Sequence, residues 1–117
     1  MSRCFREQDV TVIEFGPSYD SLDEDTLDEI GGLLLTEAVN ANPPKLVLDM
    51  SQTSLIGSTF IELMVRAWKR LKERGGTMVL CGVHPFCAEV LEITQLTRLW
   101  NMYSTRAEAI NVLTTGD

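Results

Sequence analysis

The sequence predicts one α/β domain over residues 1–117, with a central, mostly parallel β-sheet packed with about four helices. Three observations predict it. After a short first strand, extended runs alternate with segments of helical periodicity, an order that yields parallel strands joined by right-handed crossovers. The inner runs, Leu46-Val47-Leu48 and Thr77-Met78-Val79-Leu80-Cys81, are apolar without alternation, as in strands covered on both faces. Finally, 117 residues fit one domain, and a hydrophobic share of 44% beside 23% charged residues suits a chain that buries a core.

Each element has its own local cause. Phe5 belongs to a short strand that turns through Gln8-Asp9 into Val10-Thr11-Val12-Ile13-Glu14-Phe15, whose β-branched, partly alternating residues predict a second strand. Gly16-Pro17 ends it. Ser21 and Glu24 have capping-box spacing, and Asp23, Glu24 and Asp25 place negative charge where a helix N-terminus favours it. Leu27, Ile30, Leu34 and Ala38 then recur on one helical face. Gly31-Gly32 inside that helix costs about 1 kcal/mol per glycine, which predicts close packing against a neighbour or a kink.

Asn42-Pro43-Pro44 stops the helix before the buried strand Leu46-Val47-Leu48. The polar loop Ser51-Gln52-Thr53-Ser54 leads through Leu55-Ile56-Gly57-Ser58-Thr59 into the most regular helix, with Ile61, Met64, Trp68 and Leu71 expected on its inner face. Thr59 and Glu62 have capping-box spacing, so Thr59 is the expected N-cap. Gly75-Gly76 closes this helix. Pro85 suits the first turn of a third helix, with Cys87, Val90, Leu91 and Thr94 on its inner side. Leu99 to Tyr103 predicts a short strand, and Thr105 with Glu108 predicts a capping box for a last helix carrying Ile110 and Leu113.

Charge and composition exclude several functions. The net charge is −7, whereas binding to nucleic-acid phosphates needs clustered cations. Arg66, Lys69, Arg70, Lys72 and Arg74 fall in one helix, where they suit its solvated face and C-terminal turn. No apolar run reaches the ~20 residues of a membrane span, and the N-terminal residues have no signal-peptide pattern. Three cysteines make no disulfide framework. A cytoplasmic protein without nucleic-acid or membrane partners is the expectation.

Few residues point to catalysis. Neither a dinucleotide-binding glycine pattern nor a Walker sequence occurs, so no nucleotide cofactor is expected. Cys81, His84 and Cys87 have a spacing that could supply three zinc ligands or a small enzyme site. Burial is the better reading, because Cys81 ends an apolar strand and Cys87 falls on the apolar side of a helix. His84 is the sole histidine, and no acid is evidently placed to orient it. Asp49 and Glu62 read as a loop-anchoring acid and a capping acid. There remain Ser58 and Thr59 at a loop-to-helix junction, a position where a phosphate is compatible with the helix and alters the surface around it.

Three stretches carry a family resemblance. Leu46-Val47-Leu48-Asp49-Met50-Ser51, followed by Leu55-Ile56-Gly57-Ser58-Thr59-Phe60-Ile61-Glu62-Leu63, is similar to a strand, D-L-S, and D-S-S-G-L entering a helix. Met78-Val79-Leu80-Cys81-Gly82-Val83-His84-Pro85 is similar to a strand with a G-V-x-P turn. Val90-Leu91-Glu92-Ile93-Thr94-Gln95-Leu96 is similar to V-L-x-x-T-G-L. With the element order, these resemble the STAS domain, in particular the bacterial anti-sigma-factor antagonists.

That resemblance implies partner switching and no catalysis by this chain. An antagonist of this type binds an anti-sigma factor that is also a serine/threonine kinase, is phosphorylated by it, and is reset by a phosphatase. The modified hydroxyl of D-S-S-G-L corresponds to Thr59, with Ser58 as the second candidate. The partner surface is expected on Ser51, Thr53, Ser54 and Gly57 and at the helix start, with Phe60 as an exposed aromatic anchor. ATP and magnesium would belong to the kinase. Gly57 stands where the family has Asp, Phe60 where it has Gly, and Thr59 replaces a Ser. These departures keep open a scaffold role in a stress-signalling assembly without a phospho-switch.

Overall fold

The computed structural model describes residues 3–16, 18–19 and 24–114. In chain order it has β1 (Arg3–Glu7), β2 (Val10–Glu14), β3 (Ser18–Tyr19), α1 (Glu24–Asn40), β4 (Lys45–Asp49) and β5 (Leu55–Ile56). There follow α2 (Ser58–Glu73), β6 (Thr77–Cys81), α3 (Pro85–Ile93), a 3₁₀ turn at Leu96–Arg98, β7 (Met102–Tyr103) and α4 (Arg106–Thr114). The main sheet runs β1-β2-β4-β6-β7, antiparallel only between β1 and β2. Gln8 and Asp9 both take positive φ, 51° and 67°, in the two-residue turn of that hairpin. Such a turn matches the right-handed twist of its strands. β3 and β5 form a separate parallel pair, Ser18 opposite Leu55 and Tyr19 opposite Ile56.

Period-two alternation divides the interior into two cores. Ile13, Leu46, Leu48, Met78 and Leu80 face α1, α2 and α3, where they meet Leu34, Phe60, Met64 and Leu91 among others. Val10, Val12, Val47, Val79 and Cys81 face α4 and its Ala109, Ile110 and Leu113. Both sides of β4 and β6 are therefore covered, which is why their sequences are continuously apolar. Gly31 serves the packing of α1 on α2, since a Cβ there would lie 3.3 Å from Leu63 Cδ2, whereas Gly32 faces open space.

Several local expectations are corrected. The inner face of α2 carries Phe60, Leu63, Met64, Ala67 and Leu71, while Ile61 and Trp68 are half-buried. A helix wedged between a sheet and α1 buries a broader stripe than the one expected. Thr94 is exposed at the end of α3, not inward. The strand expected over Leu99 to Tyr103 shrinks to Met102–Tyr103, because the 3₁₀ turn and the buried Trp100 use the preceding residues for packing. The capping box of Ser21 and Glu24 and the inward place of Leu27 rest on side chains outside the described residues.

Candidate functional site

At the C-terminal end of β4 the chain leaves the sheet as a tightly fastened loop. The Met50 amide donates to the Cys81 carbonyl at 3.0 Å, so β4 stays tied to β6 for one residue more. Asp49 Oδ1 accepts the Ser51 amide at 3.0 Å, and the Thr53 amide donates to the Met50 carbonyl at 2.9 Å. Thr53 Oγ1 donates to the Gly16 carbonyl at 2.7 Å, and Cys87 Sγ donates to the Thr53 carbonyl at 3.7 Å. Gly82 takes φ +63°, and a Cβ on it would lie 2.8 Å from Ser51 Cβ. Only glycine combines that backbone with so close an approach of the two loops.

The loop then passes through β5 to Gly57, whose extended backbone (φ −116°, ψ 177°) makes it the N-cap of α2. Ser58 and Thr59 are the first two helical residues, and both are exposed. Thr59 is therefore not the N-cap, and the start of α2 has no side-chain capping bond. Glu62 pairs with Arg66 at 3.4 Å, one turn on, where both side chains are exposed. Thr59 also opens on a groove of about 360 Å³ between α1 and α2, lined by Asp28, Gly31, Gly32, Glu62 and Arg66.

The expected partner residues divide into two kinds. Ser51, Ser54, Ser58 and Thr59 are exposed and Gly57 is half-buried, so these remain at the surface. Thr53 is 1% exposed and Phe60 0%, which corrects their expected place on that surface. Thr53 instead fastens the loop through its hydroxyl and carbonyl. Phe60 lies edge-on to Phe15 at 5.1 Å between ring centroids, below the two exposed hydroxyl residues.

Cys81, His84 and Cys87 do not converge. Cys81 lies in the core under α4, Cys87 in the core under the other helices, and His84 at the surface. His84 caps α3, its Nδ1 accepting the Phe86 amide at 3.3 Å. Among the described residues, no three His, Cys, Asp or Glu side chains are grouped to hold a metal ion. Burial, with the adjacent Asp49 carboxylate, pushes the Cys81 thiol up to about 12. Such a thiol is a poor source of thiolate at neutral pH.

A charged cluster lies beside the site that the sequence reading missed. Arg106 Nη1 is 2.5 Å from Glu14 Oε2 and 3.4 Å from Asp49 Oδ2, and its Nε is 4.0 Å from Glu7 Oε1. Its guanidinium also lies 5.1 Å from the Phe5 ring centroid. A cation in the first turn of a helix opposes the helix dipole. That local misfit was the available signal that Arg106 has partners elsewhere.

Among the described residues, no helix is long and apolar enough to cross a membrane. A family model described as the STAS domain matches residues 8–109. An anti-sigma-factor antagonist (STAS) domain protein from Planctomyces limnophilus is 38% identical, with a TM-score of 0.82 and coverage of 95% of this chain and 96% of that one. The Bacillus cell fate determinant SpoIIAA in its phosphorylated form is 18% identical, with a TM-score of 0.76 and coverage of 97% and 99%. A serine-to-glutamate variant of RsbS from Moorella thermoacetica is 17% identical, with a TM-score of 0.79 and coverage of 97% and 95%. The last two likenesses are of fold alone.

Proposed function

This chain belongs to the STAS domain family, and from that premise we propose that it is a cytoplasmic anti-sigma-factor antagonist switched by phosphorylation. The unmodified chain, one domain over residues 1–117, binds an anti-sigma factor that is also a serine/threonine kinase. The kinase supplies ATP and magnesium and transfers a phosphoryl group to Thr59, or to Ser58 as second choice. A phosphatase restores the hydroxyl. This chain performs no catalysis of its own.

The observation that carries the reading is the exposure of Ser58 and Thr59 on the first turn of α2, beside a loop fastened to the sheet. A phosphate brings about −1.5 to −2 charges. That first turn holds no acidic side chain, and a helix N-terminus stabilises an anion, so the fold accommodates the modification. A partner surface fitted to a neutral hydroxyl does not, and it loses the complex. The burial of Phe60 bears on one departure from the family pattern. The large residue there points into the core and leaves the rim of the site open.

The test is incubation with the cognate kinase and ATP, followed by mass-spectrometric mapping. Modification at Thr59 or Ser58 supports the reading. Absence of modification at both, with the complex still formed, favours a constitutive scaffold.

A further inference from the structure

We infer that Arg106 is a positioning residue of the binding loop, acting through Asp49 from the far face of the sheet. The inference rests on the proposed partner-binding role of the loop. Asp49 ends β4 with its side chain on the α4 side, where the carboxylate is almost wholly buried and serves two elements at once. One oxygen accepts the Ser51 amide at 3.0 Å and fixes the first turn of the loop. The other lies 3.4 Å from Arg106 Nη1. Cys81, opposite Asp49 in the register of β4 and β6, lies on the same face of the sheet.

A buried carboxylate keeps its charge when a cation and hydrogen-bond donors surround it. Arg106 is the cation here, itself oriented by Glu14 at 2.5 Å and by the Phe5 ring. Without it, the Asp49 carboxylate loses its cation on the α4 side and turns toward solvent, which releases the Ser51 amide. The consequence reaches the surface because little slack separates Ser51 from the helix start. Thr53 is tied to Gly16, and Gly82 packs against Ser51. A shift at Ser51 therefore alters how Ser54, Ser58 and Thr59 are presented. α4 thus holds the loop in register without touching a partner.

Two readouts test this. In the free chain, Arg106→Ala should speed hydrogen exchange at the Ser51 and Thr53 amides by about tenfold more than at Val47 and Val79 of the sheet. Arg106→Lys should recover part of the protection. Against the anti-sigma-factor kinase, Arg106→Ala should weaken binding about tenfold in the wild-type background and much less in the Asp49→Asn background, where the charge it serves is gone. Equal acceleration at loop and sheet amides, or equal weakening in both backgrounds, reduces Arg106 to general stability and overturns the inference. A wild-type chain that binds no such kinase overturns the functional reading instead. The exchange measurement, made on the free chain, still decides whether Arg106 holds the loop.

Discussion

Thr59 is exposed at the second position of α2 and Gly57 is the cap, so the Thr59 side chain does little for the fold. Thr59→Ala should change unfolding free energy by no more than about 0.5 kcal/mol in urea titrations, the range of ordinary surface substitutions. A loss of about 1 kcal/mol or more would restore the capping role that its spacing to Glu62 suggests. Sequence spacing identified the exposed hydroxyls but misjudged the cap by two residues, because a capping box and a helix that starts on glycine look alike until the backbone is seen. The cysteines give a second test. Cys81 and Cys87 are buried and Cys4 is exposed, so a maleimide should label only Cys4 in the folded chain. The Cys81 proton also shapes alkaline stability. Its pKa rises from 9.0 to about 12 on folding, so above pH 9 the folded chain binds more protons than the unfolded one. Stability is therefore intact below pH 9 and is lost as pH rises toward 12. Cys81→Ala should flatten that decline in denaturation midpoints, and an unchanged slope would contradict the assigned surroundings of the thiol.

At the scale of elements, helix α2 joins the core to the surface site. Its Phe60 was expected as an anchor for a partner, yet it fills the space against Phe15. Phe60→Ala should cost about 3–5 kcal/mol in unfolding free energy. A fully stable variant that merely bound its partner less well would return Phe60 to the interface. Helix α1 offers a contrast between two adjacent glycines. Gly32→Ala should add up to about 1 kcal/mol, since the new methyl meets nothing within 4 Å and alanine favours helix. Gly31→Ala should gain less, because its methyl presses on Leu63. The four helices were legible in sequence through their periodicity, and β4 and β6 through continuous apolar runs that mark strands covered on both faces. β3 and β5 were not legible as strands, since two residues have no period, and tertiary pairing alone creates them. The turn after α3 shows a similar limit. Gln95 takes φ +64°, the conformation that explains a glycine in the family's T-G-L, although nothing in Gln itself announces it.

The whole molecule is a sheet with separate cores on its two faces, and the site lies where the C-terminal ends of its strands release their loops. The alternation of strands and helices made this architecture legible, and the resemblance of three motifs pointed to the loop after β4. Arg106 remained hidden because its partners are 57 and 92 residues away along the chain, far beyond any local pattern. On the proposed reading, this architecture lets phosphorylation switch binding without unfolding, because the hydroxyls stand on a helix start whose next side chain is locked in the core. The most direct measurement of that claim is calorimetric titration of the cognate anti-sigma-factor kinase with the unmodified chain and with the chain phosphorylated at Thr59, circular dichroism being recorded for both. The account predicts the same spectrum and unfolding midpoint within a few degrees, with affinity reduced at least tenfold by the phosphate. Equal affinities for the two forms would contradict it.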